Sequence, residues 1–65
     1  MLREFQFNLT VDVPSGRSTA YLLELVGEGQ WTWVADAEFG PFETVWDVSH
    51  WLVKRLSERK ALHLR

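Results

Sequence analysis

The sequence predicts an α+β fold: a three-stranded antiparallel β-meander with one C-terminal α-helix packed on one face. Three observations carry that expectation. Three stretches alternate apolar and polar residues with a period of two, which is the signature of half-buried strands. Two short glycine-containing segments, PSG and GEG, separate them, and a stretch with helical spacing follows a Gly40-Pro41 break.

The first strand is expected at about 4–13. Phe5, Phe7, Leu9, Val11 and Val13 share one face, while Glu4, Gln6, Asn8, Thr10 and Asp12 share the other. Pro14 presets φ for a turn and Gly16 can adopt a left-handed conformation, so Pro14–Gly16 reads as a three-residue hairpin loop. The second strand follows at about 18–26, with Tyr21, Leu23 and Leu25 on the core side. Gly27–Gly29 is a second loop of the same length. The third strand, about 30–39, directs Trp31, Trp33, Ala35, Ala37 and Phe39 inward.

Loop lengths then set the register, because paired residues share a face. The first loop pairs Val13 with Arg17, and hence Leu9 with Tyr21 and Phe7 with Leu23. The second pairs Leu25 with Trp31, Leu23 with Trp33 and Tyr21 with Ala35. In this register the outward face is mostly polar and reads as solvated. Leu22 and Val34 are its main apolar members, a possible second binding surface.

The helix is expected at about 45–59. Thr44 and Asp47 form the Ser/Thr-x-x-Asp/Glu capping signature. Glu43 and Asp47 suit the positive end of the helix dipole, and Lys54, Arg55, Arg59 and Lys60 suit the negative end. The closing ALHLR, residues 61–65, is expected to continue the helix and fray. At 100° per residue, Val45, Val48, Leu52 and Leu56 form a stripe that should lie on the sheet. Trp46 and Val53 fall to one side of it and Trp51 to the other, so the apolar arc spans roughly 220°, about twice what a one-sided surface helix needs. Three strands are too narrow to shelter all of it. The expectation is that one indole seals the fold while the other is offered to a partner. The expected protein-binding residues are Trp46, Trp51 and Val53, rimmed by Asp47, His50, Lys54 and Arg55.

Composition narrows the function classes. A chain of 65 residues makes one domain, 1–65, with marginal capacity to bury a core. There is no cysteine, so disulfides and thiolate metal sites are excluded. The chain is nevertheless 46% hydrophobic, with four Trp, four Phe and one Tyr. A net charge of −2 gives no global attraction to nucleic acid or membrane. No signal peptide or membrane-spanning run is evident, so a soluble cytoplasmic protein is expected, in a host cell if phage-encoded. Asp47 and His50 lie three residues apart without a third ligand, and no base is positioned to activate Ser49 or Ser57. An enzyme, a cofactor and a small-molecule ligand are therefore not expected. The partner is expected to be another protein or a second copy of the chain.

Three strands and a helix, with WTWVADAEFGPFETVWDVSHWL spanning the last strand, the turn and the helix, resemble the AP2 domain and the arm-binding domain of tyrosine integrases. The resemblance covers about a third of the chain. It implies DNA read by the outer sheet face, yet Gln6, Asn8, Thr10, Glu24, Thr32, Asp36 and Glu38 are the wrong electrostatics for phosphate contacts. The alternative reading is therefore a DNA-binding accessory protein using the basic helix end, Lys54, Arg55, Arg59, Lys60 and Arg65. The chain is also similar to the small, acidic, Trp-rich MbtH-like group in build, but lacks its tryptophan signatures. GPFETVWDVSHWL further resembles the strand–GPF(D/E)T–helix ending of short phage and mobile-element proteins. That likeness implies an accessory protein that masks a host protein, as anti-CRISPR and polymerase inhibitors do.

Overall fold

The computed structural model describes residues 3–61. It contains β1 (Phe5–Asp12), β2 (Arg17–Leu25), β3 (Trp31–Phe39) and α1 (Val45–Glu58). The strands form one antiparallel sheet in the order β1-β2-β3, so β1 and β3 are both edges. The expected architecture is present, but the side chains that face the helix differ from expectation in a systematic way.

The difference begins at the first hairpin. The last β1–β2 pair is Asp12 with Arg17, not Val13 with Arg17, so the loop holds four residues. The Ser15 hydroxyl donates to the Asp12 carboxylate and accepts from the Arg17 N–H at 3.2 Å. The Gly16 N–H closes the turn on the Asp12 carbonyl at 2.7 Å, with Gly16 at φ 74°. Asp12 thus opens the turn one residue early and leaves Val13 exposed in the loop. Because side chains alternate, that single residue turns all of β2 over. Phe7 pairs with Leu22 and Leu9 with Ala20, so the helix face of β2 is Ser18, Ala20, Leu22 and Glu24.

The second loop behaves as expected at its tip. Leu25 pairs with Trp31 and Leu23 with Trp33, and the Val26 N–H bonds the Gln30 carbonyl at 2.7 Å around Gly27–Gly29. A bulge then intervenes: Leu23 faces Trp33, but Leu22 faces Ala35, leaving Val34 as the extra residue. The bulge returns Ala35, Ala37 and Phe39 to the helix face, as expected. Trp31 and Trp33, expected inward, lie on the opposite face with Tyr21, Leu23 and Leu25. Leu22, expected on an outward surface, is 1% exposed and is the largest fully buried side chain.

Small residues floor the core, and aromatic rings roof it. Ala20 pairs with Ala37 and Leu22 with Ala35, which leaves room above β2 and β3 for a large side chain. Trp51 fills it. Its ring stands 6.5 Å from Phe7 on β1 and 6.2 Å from Phe39 on β3, the latter edge-to-face at 85°. One indole thereby bridges both edge strands across the sheet, in a geometry aromatic pairs favour.

At the start of the helix, the Asp47 carboxylate accepts from the Thr44 N–H at 2.6 Å and from its hydroxyl at 3.0 Å, which realises the capping signature. These bonds hold the Asp47 carboxyl below its ordinary range, the backbone bond contributing most. At the other end the expectation of continuation fails. Lys60 takes a left-handed conformation, φ 58°, and the N–H groups of Lys60 and Ala61 bond the carbonyls of Ser57 and Leu56. This is a Schellman stop with lysine at the position glycine usually holds. Residues 62–65, including His63 and Arg65, lie outside the described residues.

Candidate functional site

Two regions stand out, one on each side of the molecule. The first is the helix face turned away from the sheet. Trp46, Ser49, His50 and Val53 line a shallow apolar groove there, and His50, Val53, Lys54, Ser57 and Glu58 line its continuation. Helical spacing explains the grouping, since residues three and four apart are neighbours on one face. Trp46, His50, Val53 and Lys54 are thus brought together as expected.

Trp51 and Arg55 are not part of that group. Trp51 faces the sheet between Phe7 and Phe39. Arg55, one turn on from Trp51 and Leu52, is partly buried and pairs with Glu58 at 2.7 Å. Asp47 lies at the helix start, and its carboxylate is engaged in the cap.

Val45 also departs from expectation. It belongs to the apolar stripe by spacing, yet it is 81% exposed beside Trp46 at 83% and Phe42 at 96%. The reason is position along the helix. Val45 stands at the first position of the helix, six residues before Trp51, the residue that meets Phe7 and Phe39 on the sheet. Phe42 in the turn and Val45 and Trp46 in the first helical turn are thus all left exposed. That Trp46 and Trp51 lie on opposite sides of the helix was legible from helical spacing, but not which of them faces out. Phe42 was missed because it lies in the turn, outside any periodic pattern.

The second region is the sheet face that the helix does not cover. Tyr21, Trp31 and Trp33 are 41%, 42% and 59% exposed there, with Leu23 and Leu25 half-buried between them. Reading the sequence placed all five inward. Only the turn geometry at Asp12 and the bulge at Val34 turn them out. Val34, expected as part of an outward surface, is half-buried at that bulge.

Charged groups at the base of the helix serve the fold. Glu24, expected outward, is buried on the helix face. It accepts from Arg3 Nε at 2.8 Å and Nη2 at 3.1 Å, and from Arg59 Nη2 at 3.3 Å. Arg3 also donates to the Arg59 carbonyl at 2.7 Å and lies over the Phe5 ring at 5.2 Å. The Arg3 hydrogen bonds hold the Glu24 carboxyl below the usual range, with Arg59 assisting, and Glu24 raises the Arg3 guanidinium in return. Of the basic helix end, then, Arg55 and Arg59 are each engaged by a carboxylate of the same chain.

Among the described residues no group of three or more His, Asp or Glu side chains is placed to hold a metal ion. No helix among them is long and apolar enough to cross a membrane. The fold defines a small α+β domain with an open sheet. No family model, curated protein or solved structure matches the chain.

Proposed function

We propose that this protein is a non-enzymatic interaction module that binds a protein partner through the exposed start of its helix. The observation that carries this reading is the near-complete exposure of Phe42, Val45 and Trp46 within five consecutive residues. Leaving two aromatics and a valine in water is costly at about 25 cal/mol for each Å², and tryptophan is prominent among residues that dominate binding energy. Val53 and His50 extend the surface along the helix, with Lys54 at its margin. A phage-type inhibitor that masks a host protein is the most concrete form of this proposal.

The test is a pull-down from lysate with wild type and Trp46→Ala, each checked for folding by circular dichroism. Trp46 touches no core aromatic, so the variant should fold normally and lose the wild-type partner. Retention of the same partner by folded Trp46→Ala would overturn the reading.

A further inference from the structure

We infer that the free edge of β1 pairs with the β1 edge of a second copy, joining two three-stranded sheets into one. Backbone chemistry makes the occupant a strand. The Leu25 N–H bonds the Glu4 carbonyl at 2.9 Å, so Glu4 and Leu25 are a hydrogen-bonded pair. Such pairs alternate along an antiparallel ladder. Through the unbroken β1–β2 register, Gln6, Asn8 and Thr10 therefore turn their N–H and C=O groups toward β2. Phe5, Phe7, Leu9 and Val11 turn theirs to the open edge, where no strand of this chain meets them. A row of free donors and acceptors at this spacing is matched by another extended backbone.

The two edges of the sheet are not equivalent. β3 carries the bulge at Val34, a device that spoils an edge for further pairing. β1 has no bulge, and no proline, lysine or arginine stands between Phe5 and Asp12. Its side chains on the helix side are also incompletely covered. Phe7, Leu9 and Val11 are 36%, 44% and 52% exposed, rising with distance from the Phe7–Trp51 contact. An added strand lays its own side chains alongside these three.

Charge makes that strand a second β1 and fixes its register. The edge calls for apolar side chains at every outward-bonding position, and β1 itself supplies them, with no charge between Glu4 and Asp12. A two-fold contact pairs the strand with itself in the antiparallel sense. Centred on Leu9, it sets Leu9 against Leu9, Phe7 against Val11, Asn8 against Thr10 and Gln6 against Asp12. Apolar then meets apolar on the helix side, and no like charges stand opposite. Centred on Asn8, it would set Glu4 against Asp12 twice over, which is unfavourable directly across a ladder. Centred on Phe7, it would set Val11 against Arg3, whose guanidinium is held by Glu24. In the Leu9 register both helices lie on one side of the joined sheet, and Phe7, Leu9 and Val11 of the two copies meet between them.

Analytical ultracentrifugation of the full chain over roughly 1–500 µM, the range of ordinary self-association constants, tests the pairing. The expected result is a concentration-dependent rise from 7.6 kDa to twice that mass. Leu9→Pro removes a donor that serves no bond within the chain, a change edge strands accept. It should raise the dissociation constant at least tenfold while the far-ultraviolet dichroism is kept. The chain has no cysteine, so a single introduced thiol reports the register. Leu9→Cys should oxidise to a covalent dimer, because hydrogen-bonded partners stand about 5.5 Å apart at Cα, within disulfide reach. Val11→Cys should not, since it would lie about 13 Å from its own copy. Trp46→Ala should leave the dimer intact, which separates this pairing from the helix reading. If Leu9→Pro unfolds, the two cysteine variants decide. Wild type that remains monomeric throughout would overturn the inference. So would Val11→Cys cross-linking as readily as Leu9→Cys, a dimer dissolved by Trp46→Ala, or an edge that pairs only with a different polypeptide.

Discussion

Leu22 and Leu23 are adjacent on β2 and chemically identical, yet the fold gives them opposite fates. Leu22 lies beneath the helix between Phe7 and Ala35, and Leu23 lies on the uncovered face between Gln6 and Trp33. Truncation of a fully buried leucine to alanine costs about 3–5 kcal/mol once the cavity is included. A 65-residue domain has about 3–10 kcal/mol of total stability, so Leu22→Ala should remove a third of it or more. With an unfolding entropy of about 2.1 cal/mol/K per residue, a loss of 3 kcal/mol lowers Tm by about 20 °C. In urea the midpoint should fall by about 3 M or more for a slope near 1 kcal/mol per molar. Leu23→Ala, on a half-buried site, should cost about 1 kcal/mol. The assay is urea unfolding of both variants followed by tryptophan fluorescence, at one low protein concentration so that association contributes equally. If Leu23→Ala unfolded the domain while Leu22→Ala stayed within about 0.5 kcal/mol of wild type, the four-residue hairpin and everything built on it would be refuted.

Two further predictions concern the ends of the helix and its clasp. Lys60→Gly should stabilise the protein by about 0.5–1 kcal/mol in the same urea assay, because glycine adopts the left-handed stop without the strain of a Cβ. Glu24 has a folded-state carboxyl held low by Arg3 and Arg59. Its contribution to stability is therefore fully present above the ordinary glutamate value near pH 4.3 and is lost as the pH falls through the lower folded value. Unfolding midpoints taken from pH 7 to pH 3 should show Glu24→Gln less stable than wild type at pH 7, with the gap closing in acid. A constant gap across that range would contradict the clasp.

Much of this architecture was legible because local chemistry and global fold agree. The alternation from Phe5 to Val11, the Gly27–Gly29 loop and the Thr44–Asp47 cap each have one natural solution, and the chain adopts it. The hairpin at Pro14–Gly16 does not. Three- and four-residue closures use the same proline and glycine, and the choice turns on a hydrogen bond between Asp12 and Ser15 that periodicity cannot display. The bulge at Val34 is equally silent, since Trp33, Ala35 and Ala37 alternate across it without a break. These two events invert β2 and the start of β3, which is why Leu22 and Glu24 were placed outside and Trp31 and Trp33 inside. Helical spacing separated Trp46 from Trp51 correctly but could not say which one met the sheet. The small side chains at Ala20, Ala35 and Ala37 decide that, by leaving space for one indole and none for the other.

The clasp at the base of the helix has a temporal side. Arg3 and Glu24 both belong to the hairpin half of the chain and form a bidentate pair within it. Arg59 arrives far later, and with it the carbonyl that accepts from Arg3 Nη1. The first hairpin thus contributes both members of one pair in the clasp, and the helix end completes it from the far end of the chain.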